Sequence, residues 1–393
     1  MKSEKLEEAL VASLHVFVSL VAVFFGGLLL PAQADAQPST PSQAIALEQQ
    51  GKLAEAVEAW SAVVARNPRD AGAFASLGID LSKQKKYPEA AAAYKKALAL
   101  NPKLPGVQLN LGLAEFKQGN FEAAVGPLRK TAISDPKNMQ AATLLGLSCY
   151  GAKHFADASK YLAAPAKADP ANVELHQVLA QSCLLSKNYS CALDEFRLIL
   201  EKDPDSAAAH MLSGEALDGL GRGTEAIAEF EAAAKASPRD PNLHFGLGYL
   251  YWKAHQYDQA KPEFESSLAI DPAYAPSMVY LGDIAMKSDK LDEALVRLRS
   301  ALRLKDDIRL AYVDMGAILS QQKHYEDAAT ALRHAVELDP AEPDAHYRLA
   351  RVYQAMGRVE DSKKEFARVQ DLHEKADESL ASKIPATPPP VPQ

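Results

Sequence analysis

Residues 241–272 read PNLHFGLGYLYWKAHQYDQAKPEFESSLAIDP and close on Pro272. Thirty-four residues earlier stands Pro238, and the same step lands on Pro204, Pro170, Pro136, Pro102 and Pro68. Forward it meets Asp306, then Pro340. A fixed period of this length means that one supersecondary unit is stacked many times, because no single unit can bury its own apolar face. The units begin at 37, 71, 105, 139, 173, 207, 241, 275, 309 and 343, and positions 1–34 are counted within each.

Two positions are held to small residues inside amphipathic helical patterns. Position 8 is Gly78, Gly112, Gly146, Ala180, Gly214, Gly248, Gly282, Gly316 and Ala350. Position 20 is Ala56, Ala90, Ala124, Ala158, Ala192, Ala226, Ala260, Ala294 and Ala328, then Ser362. Glycine within a helix costs about 0.5–1 kcal/mol against alanine, so close approach of a second helix must offset it. The expectation is that position 8 on helix A faces position 20 on helix B. Leu77, Leu111, Leu145, Leu179, Leu247, Leu281 and Leu349 at position 7 fill the space between units. So do Tyr94, Phe196, Phe230, Phe264 and Phe366 at position 24. Proline at 32 cannot continue helix B. Asp70, Asn138, Asn172, Ser206 and Asp240 at position 34 are good N-caps for the next helix A.

This pattern, with a small residue at 8, Ala at 20, an aromatic at 24 and Pro at 32, resembles the tetratricopeptide repeat. The resemblance covers residues 37–376 and implies an all-α fold, an α-solenoid wound as a right-handed superhelix of about ten helix pairs. Helix A of the first unit is degenerate, carrying Pro38 and Pro41. The unit at 275–308 lacks its proline, so its helix B is expected to run past Asp306. The last unit continues as a charged helix to about Lys383, and a polar-faced end helix keeps such an array soluble. Residues 377–393 complete that helix and add the Pro-rich tail IPATPPPVPQ, expected to be extended or disordered.

Hydrophobic residues make up 48% of the 393, carried by Ala and Leu with only 7% aromatics, a mix that favours helix. Net charge is −8 and no segment is basic, which argues against nucleic acid as a partner. Residues Ala9–Leu30 are almost wholly apolar, and small residues precede two cleavage points, after Ala34 and after Ala36. Residues 1–36 therefore read as a secretory signal peptide. The same 22 residues are also long enough to remain as a membrane anchor. Either way the repeats cross the membrane, to the periplasm or beyond, and membrane contact is confined to this segment.

His176, His210, His244 and His346 share position 4. Equivalent rings in stacked units stand about 8–10 Å apart, whereas metal–nitrogen bonds are about 2.0–2.1 Å. Packing histidines are therefore expected rather than a metal ladder. No metal-binding, nucleophile-elbow or phosphate-loop motif occurs, and no cofactor is implied. GLGRG at 219–223 is glycine-rich, but it lies at an A–B turn after a helix rather than after a strand. Cys183 ends up near Cys191 across the same turn. The pair is either bridged, as an oxidising compartment permits, or consists of two buried thiols.

With no catalytic constellation, and too few residues outside the repeats for an enzymatic domain, a binding surface remains. The resemblance implies that positions 2, 5, 9, 12 and 13 of helix A line a concave groove. On this chain these are Phe245, Tyr249 and Trp252, then Val279 and Met286 in the following unit. Earlier units supply Met211, Tyr150 and the trio Leu109, Leu113 and Phe116. Phe245, Tyr249 and Trp252 also share one helix face by their spacing, a face expected to have no partner within the array. The Lys and Asn clamp that grips a peptide carboxylate in this family is missing at positions 5 and 9. The expected function is a non-catalytic scaffold whose groove holds a protein or peptide segment with apolar anchors. Alternatives are a membrane-tethered factor in envelope assembly and an accessory subunit of an enzyme complex.

Overall fold

A computed structural model describes residues 40–383, which form twenty α-helices and no strand among the described residues. The leader, with its cleavage points, and residues 384–393 of the tail lie outside the described residues. The first half of the array comprises α1 (Pro41–Gln49) with α2 (Leu53–Arg66), α3 (Ala71–Lys83) with α4 (Tyr87–Leu100), α5 (Val107–Lys117) with α6 (Phe121–Ser134), α7 (Met139–Gly151) with α8 (Phe155–Ala168), and α9 (Val173–Leu185) with α10 (Tyr189–Lys202). The second half comprises α11 (Ala207–Gly219) with α12 (Gly223–Ala236), α13 (Pro241–Lys253) with α14 (Tyr257–Ile270), α15 (Ala275–Lys287) with α16 (Leu291–Leu304), α17 (Arg309–Gln321) with α18 (Tyr325–Leu338), and α19 (Pro343–Ala355) with α20 (Val359–Lys383). Each helix packs on its pair partner and on the neighbouring pair, so the chain is an α-solenoid of ten helix pairs.

The turn inside each pair has one geometry. Position 15 is left-handed in all ten units: glycine at 51, 119, 221 and 357, but Lys85, Lys153, Lys187, His255, Asp289 and Lys323 elsewhere. The turn at 85 shows the wiring that ends helix A. Lys85 N–H donates to Ser82 O and Lys86 N–H to Leu81 O, both at 2.9 Å, the paired bonds that satisfy carbonyls left open at a helix end. The left-handed conformation costs a non-glycine residue about 1–2 kcal/mol. Six units sustain that cost, so the turn is held by the pair it closes rather than by the preference of its own residue.

Position 8 lies against the backbone of position 20, as expected, but its nearest neighbour is the side chain at position 24. A Cβ added to Gly78, Gly112, Gly146, Gly214, Gly248, Gly282 or Gly316 falls under 3.0 Å from Tyr94, Leu128, Leu162, Phe230, Phe264, Leu298 or Leu332 respectively, each at position 24. The glycine is a seat for the large side chain of its own unit's helix B. Position 20 contributes a close backbone instead: the Ala226 carbonyl oxygen lies 3.2 Å from the added Cβ at Gly214. Its alanines, from Ala56 to Ala328, are all at 0% exposure because no larger group fits there.

Asp70, Asn138, Asn172 and Asp240 cap the following helices through side-chain oxygens at 2.9–3.0 Å from backbone N–H groups, whereas Ser206 makes no such bond. Helix α16 ends at Leu304 and does not run past Asp306. Lys305 is extended at φ −149°, like Asp339 at φ −148°. The extended residue that turns the chain toward the next helix ends helix B, and the usual proline merely follows it. Pro41 begins α1 at its first turn, where the missing N–H costs nothing, with Thr40 as cap. Pro127, Pro165 and Pro262 lie inside helices that stay continuous. Pro165 is buried.

The position-4 histidines pair with glutamates at position 23: His210 with Glu229 and His346 with Glu365 at 2.6 Å, His244 with Glu263 at 2.7 Å, and His176 with Glu195. In His210 the other ring nitrogen lies 2.9 Å from the Pro204 carbonyl oxygen of the preceding unit. Both partners only accept, which favours a proton on both ring nitrogens. Burial works against that charge, but Glu229 and the carbonyl outweigh it and raise the His210 pKa above its ordinary value. Cys183 and Cys191 are joined as a disulfide between α9 and α10.

Two predictions follow from this packing. Gly112→Val displaces Leu128 from its seat and lowers stability by ~1–3 kcal/mol, read by urea unfolding. A raised histidine pKa gives stability that is complete below pH ~6.5 and lost as pH rises through the folded value. His210→Gln is therefore less stable than the parent by ~1 kcal/mol at pH 6, and the gap closes toward pH 9 in the same assay.

Candidate functional site

The helix-A wall is richest in aromatic side chains at α13. Phe245, Tyr249 and Trp252 run along α13, with stacked neighbours at centroid distances of 6.5 and 6.1 Å. Their shared face is not free. Tyr280 of α15 lies 5.7 Å from Phe245, 5.7 Å from Tyr249, 4.9 Å from Trp252 and 5.3 Å from Phe264. Tyr274, in the linker before α15, adds a ring 5.4 Å from Phe245, and its hydroxyl donates to Asn242 at 2.9 Å. The expectation of a face without a repeat partner is thus corrected: the next unit covers part of it. What remains is one ring surface, each member partly exposed.

Polar contacts lock that surface. The Trp252 indole N–H donates to the Asp283 carboxylate, whose other oxygen takes the Lys287 ammonium at 2.6 Å. Lys287 also lies over the Trp252 ring, 5.7 Å from its centroid, a cation–π position. Tyr150 of α7 makes the equivalent inter-unit contact, its hydroxyl donating to Gln181 of α9 at 2.6 Å. Position 12 of one unit therefore grips position 9 of the next in both places.

The wall residues inferred from sequence form two groups. Leu109, Phe116 and Tyr150 pack, partly exposed, on the cluster of Val125, Leu128 and Leu145. Leu113 is partly exposed on α5 nearby. Phe245, Tyr249 and Trp252 form the second group, with Met286 partly buried against the core of the 275 and 309 units. Met211 sits between the groups, against Phe230, Leu243 and Leu247. Val279 does not line the wall. It is 1% exposed, because position 5 of α15 turns into the core of the array. Tyr280 and Tyr274 went unnoticed in the sequence. The signal was there: Tyr280 is the one aromatic at position 6, directly following the unit with four aromatic residues on helix A.

Behind the ring surface stands Asp314 of α17, 4% exposed, with one carboxylate oxygen that has no hydrogen-bond partner. Burial first, and the Asp283 charge second, push its pKa up to about 8, while Lys287 and Arg348 work in the other direction. It is protonated at neutral pH. Burial, with Tyr249 and Asp283 nearby, likewise pushes the Tyr280 hydroxyl to about 12, so this hydroxyl stays neutral.

Ten stacked helix pairs that present a fixed, partly exposed ring surface define a helical-repeat interaction scaffold. Sequence profiles of the tetratricopeptide repeat match residues 80–119, 109–173, 143–207, 188–241, 251–313 and 319–382, and the chain belongs to that family. No curated protein matches the chain. Among solved structures it is similar to MamA MSR-1 C2, at 24% identity, 42% of this chain, 95% of that one and a TM-score of 0.37. It is similar to yeast Tom70 at 14% identity, 86% of this chain, 92% of that one and a TM-score of 0.42. MamA from Desulfovibrio magneticus RS-1 matches at 21% identity over 44% and 98% of the two chains, with a TM-score of 0.39.

Asp314 yields a prediction with a definite sign. Its folded pKa is raised, so between pH ~4 and 8 the folded chain keeps a proton that the unfolded chain has lost, and stability falls as pH rises. Asp314→Asn removes that slope. The variant gains on the parent through this window and is more stable by over ~1 kcal/mol at pH 8, measured by denaturant titration at stepped pH.

Proposed function

We propose that the chain is a non-catalytic scaffold, exported to the periplasm or beyond, that holds an apolar segment of a partner protein in a groove lined by the A helices. The observation that carries this reading is the ring surface of Phe245, Tyr249, Trp252 and Tyr280, partly exposed and fixed in advance by Asp283 and Lys287. Aromatic anchors supply most of the affinity in protein interfaces. A surface already ordered before binding avoids the entropy cost of ordering its side chains. The apolar leader supports export, and the Cys183–Cys191 bridge is of the kind that persists in oxidising compartments. Retention of Ala9–Leu30 would tether the same scaffold to the membrane, and N-terminal sequencing of the chain from cells separates the two forms.

A peptide array probed with the full chain tests the groove. Peptides with apolar or aromatic anchors are expected to be enriched. Trp252→Ala lowers their affinity by at least ~10-fold, with the circular-dichroism melt of the array retained. Unchanged affinity in a folded variant removes this site from the reading.

A further inference from the structure

Position 17, the first residue of helix B, is Leu53, Tyr87, Phe121, Phe155, Tyr189, Tyr257, Leu291, Tyr325 and Val359 in nine units. In the unit at 207 it is Gly223. The side chain at 17 lies over position 13 of the next unit. A Cβ added to Gly151 meets Phe121, one added to Gly219 meets Tyr189, and Lys287 stands 5.9 Å over the Tyr257 ring. Where a following unit exists these side chains are partly buried. Val359, with no following unit, is 56% exposed.

At Gly223 that filling is missing. Space at its Cβ is open for at least 4 Å. A cleft of about 690 Å³ occupies the place, with Ile227, Leu250, Tyr251 and Ala254 as its apolar lining. Lys253, the position-13 residue that has no ring to cover, pairs instead with Asp218 at 2.6 Å on the rim. The cleft is thus a vacancy roomy enough for a ring between α11–α12 and α13–α14, with an ammonium already placed at its mouth. It lies within the GLGRG turn, away from the ring surface around Tyr280.

We propose that this cleft is a second binding site, one that takes a phenylalanine or tyrosine side chain from a partner protein. The other units show what fits, since six of them place an aromatic ring at position 17. Charge complementarity agrees, because Lys253 has the same position relative to the vacancy that Lys287 has relative to Tyr257, and a ring face attracts such a cation. In the filled units the ring enters from a backbone running along the A–B turn. At Gly223 the chain's own backbone still takes that path and is exposed, so a partner's ring enters from the solvent side. This site does not depend on the groove proposed above.

The test uses the full chain with methyl-labelled isoleucine and leucine and N-acetyl-tyrosinamide as probe. Saturable shifts are expected at the Ile227 and Leu250 methyls at millimolar probe, with weaker shifts for N-acetyl-leucinamide. Gly223→Tyr and Gly223→Leu fill the vacancy from within. Both abolish the shifts and raise the unfolding midpoint, whereas Gly223→Ala keeps them. A p-cresol control marks the role of the backbone: equal or tighter binding of p-cresol makes the site one for small aromatic molecules and overturns the partner-side-chain assignment. Absence of saturable shifts in the parent, shifts that persist in both filled variants, or equal response to the leucine probe also overturns it. Trp252→Ala leaves these shifts unchanged, so failure here and failure of the groove are read separately.

Discussion

A large side chain at position 24 seated on a small residue at position 8, glycine in seven units and alanine at 180 and 350, is the contact on which the array depends. It fixes how closely helix A and helix B approach, and every other repeated contact presupposes that spacing. Tyr94 over Gly78 and Leu332 over Gly316 are the same joint made with different chemistry. In the seven glycine units the seat leaves no room for a methyl group beneath Tyr, Phe or Leu, since interiors are packed densely, whereas the units at 173 and 343 carry Ala180 and Ala350 there. Around it the alanines of position 20 are sealed completely. Six turns accept a left-handed lysine, histidine or aspartate because the pair they close outweighs the local strain.

The A-helix wall follows a different logic. Its residues answer to the next unit as well as to solvent, as Trp252 with Asp283 and Tyr150 with Gln181 show. Such links stiffen the surface between units and leave ring faces partly open. A scaffold gains from that stiffness, because a partner then binds a surface that needs no ordering. The cost is a buried acid pair, and the Asp314 pKa is raised first by burial and then by the Asp283 charge beside it.

Where units depart from the common pattern, the departures divide by consequence. Asp306 in place of proline changes nothing, since the extended Lys305 before it already ends α16. Gly223 in place of a ring changes the surface, because no neighbour moves in to fill the gap. The first kind substitutes a residue that was following the fold, and the second removes one that was packing it.

The sequence by itself determined the unit, its register, the all-α class and the small residues at 8 and 20, because periodic burial must recur with the period of the chain. Val279 and Tyr280, adjacent in sequence, show where that reading stopped: one is in the core and the other is the hub of the ring surface. Only the tertiary structure decided this, together with the position-24 seat, the His210–Glu229 pairing and the opening at Gly223. Helical period says which residues share a face. The angle and offset between successive pairs decide which side chain of the next unit meets that face, and those are set by the sum of contacts across the interface rather than by any one segment.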